Sequence, residues 1–107
     1  MEFLVEFEVR VPKGTPVSEV AERENAEVSA ASKLADEGHL VRLWKSPVVP
    51  GVTKIVGLYR AESETQLDAL LGSLPLSEWM QTRVTPLEPH PNDPAAAQKT
   101  TTADRTS

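Results

Sequence analysis

Alternating apolar and polar residues predict the first element, a β-strand. Between residues 2 and 11 one face is wholly apolar, consisting of Phe3, Val5, Phe7, Val9 and Val11. Strict alternation over this length is typical of a half-buried strand. Pro12 and Gly14 end the pattern, so the strand stops before residue 16.

A helical period follows, and we expect the helix to begin near Pro16 or Val17 with Thr15 as its N-cap. One stripe of this helix is mostly apolar, and it contains Val17, Val20, Glu24, Glu27, Val28, Ala31, Leu34 and Ala35. Arg23 lies off the stripe. Gly38 supplies the glycine that commonly stops a helix.

The rest of the chain predicts three more strands and one more helix. We expect strands over residues 40–45, 52–60 and 80–87, the last confined to a sheet edge by Pro86. Ser63 and Gln66 have the spacing of a capping box that opens the second helix. Its apolar face consists of Leu67, Leu70, Leu71 and Leu74.

The order β-α-β-β-α-β predicts a ferredoxin-like α+β fold, a four-stranded antiparallel sheet with two helices on one face. We assign this domain to residues 1–93. Residues 94–107 contain no large apolar side chain and are expected to form a disordered C-terminal tail. The open sheet face, which we expect to bear Leu4, Leu40, Trp44, Ile55 and Tyr59, predicts self-association.

Composition narrows the possible functions. The 107 residues suffice for one domain, and 16 acidic against 11 basic residues give a net charge of −5, which opposes nucleic-acid binding. The absence of cysteine from the sequence excludes thiolate nucleophiles and cysteine metal sites. Nucleotide use has no support because there is no glycine-rich phosphate loop, and the two histidines are too few and too separated to suggest a metal site. The acidic N-terminus and the lack of a long apolar run predict a cytoplasmic protein with no membrane partner.

Glu27 is the leading candidate for chemistry, because it lies near the centre of the apolar stripe. Burial raises the pKa of a carboxyl group toward the range of a general base. The alternative interpretation is an ion pair between Glu27 and Arg42 or Lys54. Glu24, nearer the edge of the stripe, is expected to be solvated or ion-paired.

Arg42 and Trp44, two residues apart on one strand, present a forked cation beside a flat apolar surface. This pair suits a small organic acid. Alternatively, Trp44 is buried at a subunit interface and Arg42 pairs with a glutamate. His39 and His90 are expected to have ordinary polar roles, and His90 is the better placed to reach a neighbouring chain.

Several of these segments together resemble the muconolactone Δ-isomerase family over residues 1–92. They are Glu27, Glu37-Gly38, Arg42-Leu43-Trp44, Leu74-Pro75-Leu76 and His90-Pro91. The resemblance implies a cofactor-free enzyme of aromatic catabolism, built as ring-shaped decamers of swapped dimers with pockets between subunits. The chain departs from the family pattern between residues 45 and 58, and it has Trp79 where a tyrosine is usual.

By this resemblance, the substrate is muconolactone or a related unsaturated lactone carboxylate. Glu27 would shuttle a proton, Arg42 would anchor the carboxylate, Trp44 and Tyr59 would form walls, and His90 would be a donor from a neighbouring chain. The alternative is a dimeric α+β-barrel protein that binds an aromatic or polyketide ligand, or a cofactor-free monooxygenase or cyclase.

Overall fold

A computed structural model describes residues 1–49 and 52–97. The elements, in chain order, are β1 (Glu2–Val9), α1 (Val17–Asp36), β2 (Leu40–Val49), β3 (Val52–Arg60), α2 (Glu64–Gly72), a 3₁₀ turn (Ser77–Trp79), β4 (Met80–Leu87) and α3 (Pro94–Ala97). The four strands form one antiparallel sheet in the order β2-β3-β1-β4. The ferredoxin-like prediction is therefore confirmed.

The core lies between the two main helices and one face of the sheet. The predicted alternation of β1 is confirmed at Phe3, Val5 and Phe7, which are buried while their neighbours are only half-buried. The strand ends at Val9, however, and Val11, expected on the same face, is 43% exposed. Leu34 of α1 and Leu67 and Leu71 of α2 close this core from above. β1 is a central strand that pairs with both β3 and β4, so its apolar face is the best protected in the sheet.

Fewer residues of helix α1 are buried than its apolar stripe predicts. Leu34 is its only buried residue, whereas Val17 and Val28 are 86% and 67% exposed. The predicted Thr15 cap is wrong, because Pro16 occupies the N-cap position and the Thr15 hydroxyl donates to the Pro12 carbonyl at 2.7 Å. The predicted stop is confirmed, since Gly38 follows the helix with φ +83°.

The expected composition of the open sheet face is partly wrong. Pairing of Phe3 with Tyr59 and of Phe7 with Ile55 places Tyr59 and Ile55 on the side that faces the helices. Leu40 pairs with Tyr59 and packs against the same core. By the pairing register, Leu4 and Trp44 do lie on the open face, together with Val56 and Leu58.

A β-bulge in β2 explains part of this difference. Leu40 pairs with Tyr59, but Arg42 pairs with Leu58, so β2 contains one extra residue between them. As a result Leu40 and Leu43 share the helix-facing side, whereas Arg42 and Trp44 lie on the open side. The sequence predicts a proline-rich hairpin connection over residues 46–51, but β2 continues to Val49, so residues 46–49 belong to the strand. Residues 50–51 lie outside the described residues.

Helix α2 begins as predicted. The Ser63 hydroxyl accepts from the backbone N–H of Gln66 at 3.1 Å, and the Gln66 side chain accepts from the Glu62 N–H at 2.7 Å. β4 is an edge strand, as Pro86 predicted. Pro94–Ala97 form one helical turn, and residues 98–107 lie outside the described residues. The domain boundary at residue 93 stays a prediction.

Candidate active site

A cavity of about 150 Å³ lies between α1 and the helix-facing side of the sheet. Every element of the core except α2 contributes to its wall. The lining residues are Phe7, Glu27, Val28, Ala31, Leu43, Ile55, Tyr59, Leu76 and Met80. Glu27 and Tyr59 are the only titratable residues among them, so a ligand in this cavity meets one carboxylate, one phenol and an otherwise apolar surface.

Glu27 is half-buried on α1 and points its carboxylate toward the segment that follows α2. One oxygen, Oε1, accepts a hydrogen bond from the backbone N–H of Leu76 at 3.1 Å. Burial raises the pKa of Glu27 above its ordinary value, and the Leu76 hydrogen bond opposes this rise. A carboxylate with a raised pKa is a stronger base than a solvated one, which suits proton transfer from carbon.

Within the described chain, Glu27 forms no ion pair with Arg42 or Lys54, the partners that the alternative interpretation gave it. Among residues 1–49 and 52–97 the ion pairs are Arg10–Glu8, Arg23–Glu78 and Arg60–Glu2. None of them includes Glu27. Glu24, one turn away, is exposed and also outside these pairs. The apolar surroundings of Glu27 are therefore uncompensated by a cation within the described chain.

Tyr59 is the second polar group of the cavity. It is only 3% exposed, and its ring meets that of Phe7 edge to face, with centroids 6.1 Å apart. Burial, and secondarily the charge of Glu27, raises the pKa of Tyr59 to about 12. The phenol therefore stays protonated at all physiological pH values. Its hydroxyl forms no hydrogen bond within the described residues, so it can donate to a ligand.

Arg42 and Trp44 lie on the other face of the sheet. The Arg42 guanidinium stacks over the Trp44 ring at 5.0 Å from its centroid, and both side chains are exposed. Within one chain, the structure does not bring this pair to Glu27. It does bring Arg42 and Trp44 together as the neighbouring cation and flat apolar surface that their spacing predicts.

The two histidines have local contacts and do not line the cavity. His90 is exposed beyond β4, and its Nδ1 accepts from the Asn92 N–H at 2.9 Å. His39 Nδ1 lies 2.8 Å from the Arg60 carbonyl, which can only accept, so that nitrogen carries a proton. The described contact of His90 is thus with Asn92 of its own chain. Its role as a donor to another chain stays a prediction.

The sequence did not predict that the Leu74-Pro75-Leu76 segment, which entered only through the family resemblance, contacts Glu27. The Pro75–Leu76 peptide lies against α1, where its carbonyl accepts from Arg23 at 3.3 Å and its N–H donates to Glu27. The Arg23 guanidinium also stacks on buried Trp79, 4.6 Å from the ring centroid. The sequence carries no signal for this contact, because Arg23 lies off the apolar stripe and the donor from Leu76 is a backbone N–H.

Other kinds of site find little support in the described part of the chain. It contains no group of three or more His, Asp or Glu residues arranged to hold a metal ion. No helix in the same residues is long and apolar enough to cross a membrane.

The fold and the cavity define a class of protein: a small antiparallel α+β protein with one half-buried carboxylate in the lining of an apolar cavity. A family model described as muconolactone delta-isomerase matches residues 1–93. The chain belongs to the muconolactone delta-isomerase family, and by that membership it is an isomerase.

Individual relatives agree with this assignment. The muconolactone delta-isomerase of Cupriavidus pinatubonensis is 30% identical over 92 residues, covering 86% of this chain and 97% of the relative. A crystal structure of muconolactone isomerase has a TM-score of 0.75 at 24% identity and covers 88% of this chain and 95% of its own. The fold is shared more widely. The 5-chloro-2-hydroxyhydroquinone dehydrochlorinase of Burkholderia phenoliruptrix has a TM-score of 0.63 at 15% identity, covering 84% and 96% of the two chains.

Proposed function

We propose that this protein shifts the ring double bond of muconolactone or a related unsaturated lactone, with Glu27 carrying the proton. The observation that supports this most strongly is the position of Glu27, a carboxylate of raised pKa in an apolar cavity. The curated relatives are named for muconolactone isomerisation, and we extend that activity to this chain.

The reaction requires one base that later acts as an acid. The Glu27 carboxylate removes the acidic ring proton vinylogous to the lactone carbonyl, and the C–H electron pair moves into the ring to give a furan-like dienolate. Glu27, now a carboxylic acid, returns the same proton to the carbon next to the carbonyl. The double bond shifts, and no atoms are gained or lost. The raised pKa keeps both protonation states accessible near neutral pH.

Tyr59 is suited to stabilise the negative charge that develops on the lactone oxygen. Tyr59 lines the same cavity as Glu27, and its pKa of about 12 keeps the phenol protonated as a donor. A donor in a site that excludes water stabilises an oxyanion more than the same donor in bulk solvent. We therefore assign Tyr59 a role beyond that of a wall.

A second copy of the chain would supply the anchor for the substrate's carboxylate. The cavity lining of one chain contains no cation, and Val28 and Leu43 leave 67% and 48% of their surfaces exposed beside it. Arg42 and Trp44 lie exposed on the open sheet face. Docking of that face at the cavity mouth would cover the apolar rim and bring a guanidinium to the substrate.

A ligand-binding or oxygenase function is the alternative. One observation favours it: the cavity of the single chain is apolar enough to hold an uncharged aromatic ligand without an anchor. Binding of such a ligand together with absence of turnover on any unsaturated lactone would support this alternative.

The test of the isomerase is Glu27→Gln. Because glutamine keeps the shape but cannot accept the ring proton, turnover of muconolactone should fall by ~10²–10⁴-fold, the usual loss for a general base. The lactone's ultraviolet absorbance or proton NMR spectrum reports the reaction.

Glu24→Gln is the matched control, because Glu24 is an exposed glutamate on the same helix. It should leave turnover unchanged. A wild-type protein inactive on muconolactone and on its methylated and chlorinated analogues, or a fully active Glu27→Gln variant, contradicts the proposal.

A further inference from the structure

The Pro75–Leu76 peptide group is held at both of its polar ends by α1. Its carbonyl accepts from Arg23 Nη1 at 3.3 Å, and its N–H donates to Glu27 Oε1 at 3.1 Å. Arg23 and Glu27 are four residues apart, so they lie on one side of the helix about one turn from each other. The carbonyl and the N–H of a trans peptide point in opposite directions, which matches this spacing along the helix.

Arg23 has further contacts that fix its position. Its guanidinium lies 4.6 Å from the ring centroid of Trp79 and 3.4 Å from the Glu78 carboxylate. Trp79 is buried, and its own carbonyl accepts from the Arg10 N–H at 2.8 Å, which ties the segment to the end of β1. The Glu78 side chain is 74% exposed, so the ion pair itself contributes little. The contacts with Pro75 and Trp79 are the ones that position the segment.

We propose that Arg23 is a positioning residue, which holds the Pro75–Leu76 peptide so that the Leu76 N–H donates to the catalytic carboxylate. The inference rests on the proposed role of Glu27. A guanidinium on the carbonyl also polarises the peptide and strengthens its N–H as a donor. This hydrogen bond favours the ionised form of Glu27 and therefore partly offsets the effect of burial.

Few other charges act on Glu27. The titratable group from β3 is Tyr59, which stays neutral up to about pH 12. The residues that line the cavity from β1, β2 and β4 are Phe7, Leu43 and Met80, all apolar. On α1 itself the neighbouring glutamate, Glu24, is exposed to solvent. Arg23 is itself a cation one turn from Glu27, and its loss alone would disfavour the carboxylate. A change in the Glu27 titration that persists in Arg23→Lys, which keeps the charge, therefore reports on the Leu76 hydrogen bond.

The experiment compares Arg23→Gln, Arg23→Lys and Glu78→Gln. The pKa of Glu27 is followed by NMR titration of ¹³C-carboxyl-labelled glutamate, with its signal assigned by its loss in Glu27→Gln. The Arg23→Gln change should move the Glu27 titration, and the acidic limb of the kcat/KM profile, to higher pH. Arg23→Lys should recover part of the shift, because lysine can reach the Pro75 carbonyl but cannot stack flat on Trp79.

Glu78→Gln is the matched control, since it removes the exposed ion pair and keeps the contacts with Pro75 and Trp79. It should titrate like the wild type. An unchanged Glu27 titration in Arg23→Gln overturns the inference; if that variant does not fold, an unchanged titration in Arg23→Lys does so. The NMR readout needs no turnover, so an inactive wild type would contradict the isomerase proposal without deciding the role of Arg23.

Discussion

At the scale of single residues, two opposing effects set the free energy of ionising Glu27 in the folded chain. Loss of hydration disfavours its charged form, while the Leu76 N–H favours it, and the first effect is the larger. A group whose pKa is higher in the folded than in the unfolded state adds stability at low pH and loses it as pH rises through the folded pKa. At neutral pH the charged Glu27 therefore costs the fold stability.

Glu27→Gln should consequently raise the melting temperature at pH 7.5. Glutamine retains an Oε1 acceptor for the Leu76 N–H and has no charge to desolvate. The gain should shrink as pH falls, and should be absent below the unfolded pKa of about 4.3, where glutamate is neutral in both states. Differential scanning fluorimetry between pH 3.5 and 8 measures this, with exposed Glu24→Gln as the control. A variant less stable than wild type at pH 7.5 would show that the carboxylate has a stabilising partner.

The burial of Glu27 was predictable from one helix alone, and the structure shows this residue half-buried in the cavity lining. Glu27 is conspicuous because an apolar stripe surrounds it, and a helical wheel needs no tertiary information. Arg23 and the Leu76 N–H could not be found in this way. Their role depends on where the segment after α2 docks, and the backbone donor has no sequence signature of its own.

At the scale of elements, the sequence does not determine which faces of β2 and β3 point toward the helices. Both faces of β3 carry apolar residues, with Ile55 and Tyr59 on one side and Val56 and Leu58 on the other, so alternation does not choose the buried side. The bulge in β2 then reverses the side of Arg42 relative to Leu40. A bulge arises from the pairing of two strands, which neither strand's sequence determines alone.

Gly57 on β3 is needed for the cavity, because the Tyr59 ring folds back over it. A Cβ at position 57 would lie 2.6 Å from Tyr59 Cε1 and 3.2 Å from Leu43 Cδ1, so Gly57→Ala must displace the buried ring. We expect a loss of about 1–3 kcal/mol in the free energy of unfolding, typical of overpacking. Turnover should also fall, since the phenol moves. Urea denaturation and kcat measure the two effects.

Gly72→Ala is the matched control, because a Cβ at that helical position meets no atom within 4 Å. Alanine is also the better helix former, so stability should be unchanged or slightly higher. Equal stability of Gly57→Ala and wild type would mean that the Tyr59 ring is free to move without cost.

At the scale of the whole molecule, two surfaces of the single chain favour a second copy. One is the apolar rim of the cavity at Val28 and Leu43. The other is the open sheet face, where Trp44 is 43% exposed. On this face two glutamates of β1 are paired across strands with basic residues, Glu6 with Arg83 of β4 and Glu8 with Lys54 of β3. A face that carries charges of both signs is better suited to binding another protein surface than to binding a polyanion. Self-association stays a prediction for this chain, and mixed oligomers can test it together with the shared site.

If Glu27 and Arg42 of one site come from different chains, two inactive variants should complement each other. Arg42→Ala should lose turnover through its weakened hold on the substrate carboxylate, and Glu27→Gln through its missing base. The two variants are unfolded, mixed in equal amounts and refolded. With random assembly, about a quarter of the sites then contain both Glu27 and Arg42. Turnover should then recover to about a quarter of the wild-type value per chain, and light scattering on the size-exclusion column should show an oligomer.

A second mixture separates shared sites from sites within one chain. Wild-type chains are mixed with an equal amount of chains that carry both Glu27→Gln and Arg42→Ala. Turnover should be about a quarter of the wild-type value if sites are shared between chains, but about a half if each chain forms its own site. Mixed single variants as inactive as their parents would show that Glu27 and Arg42 of one site do not come from different chains. An Arg42→Ala variant as active as wild type would remove Arg42 from the site. The cation for the substrate carboxylate would then have to come from outside the cavity lining described here, which contains none.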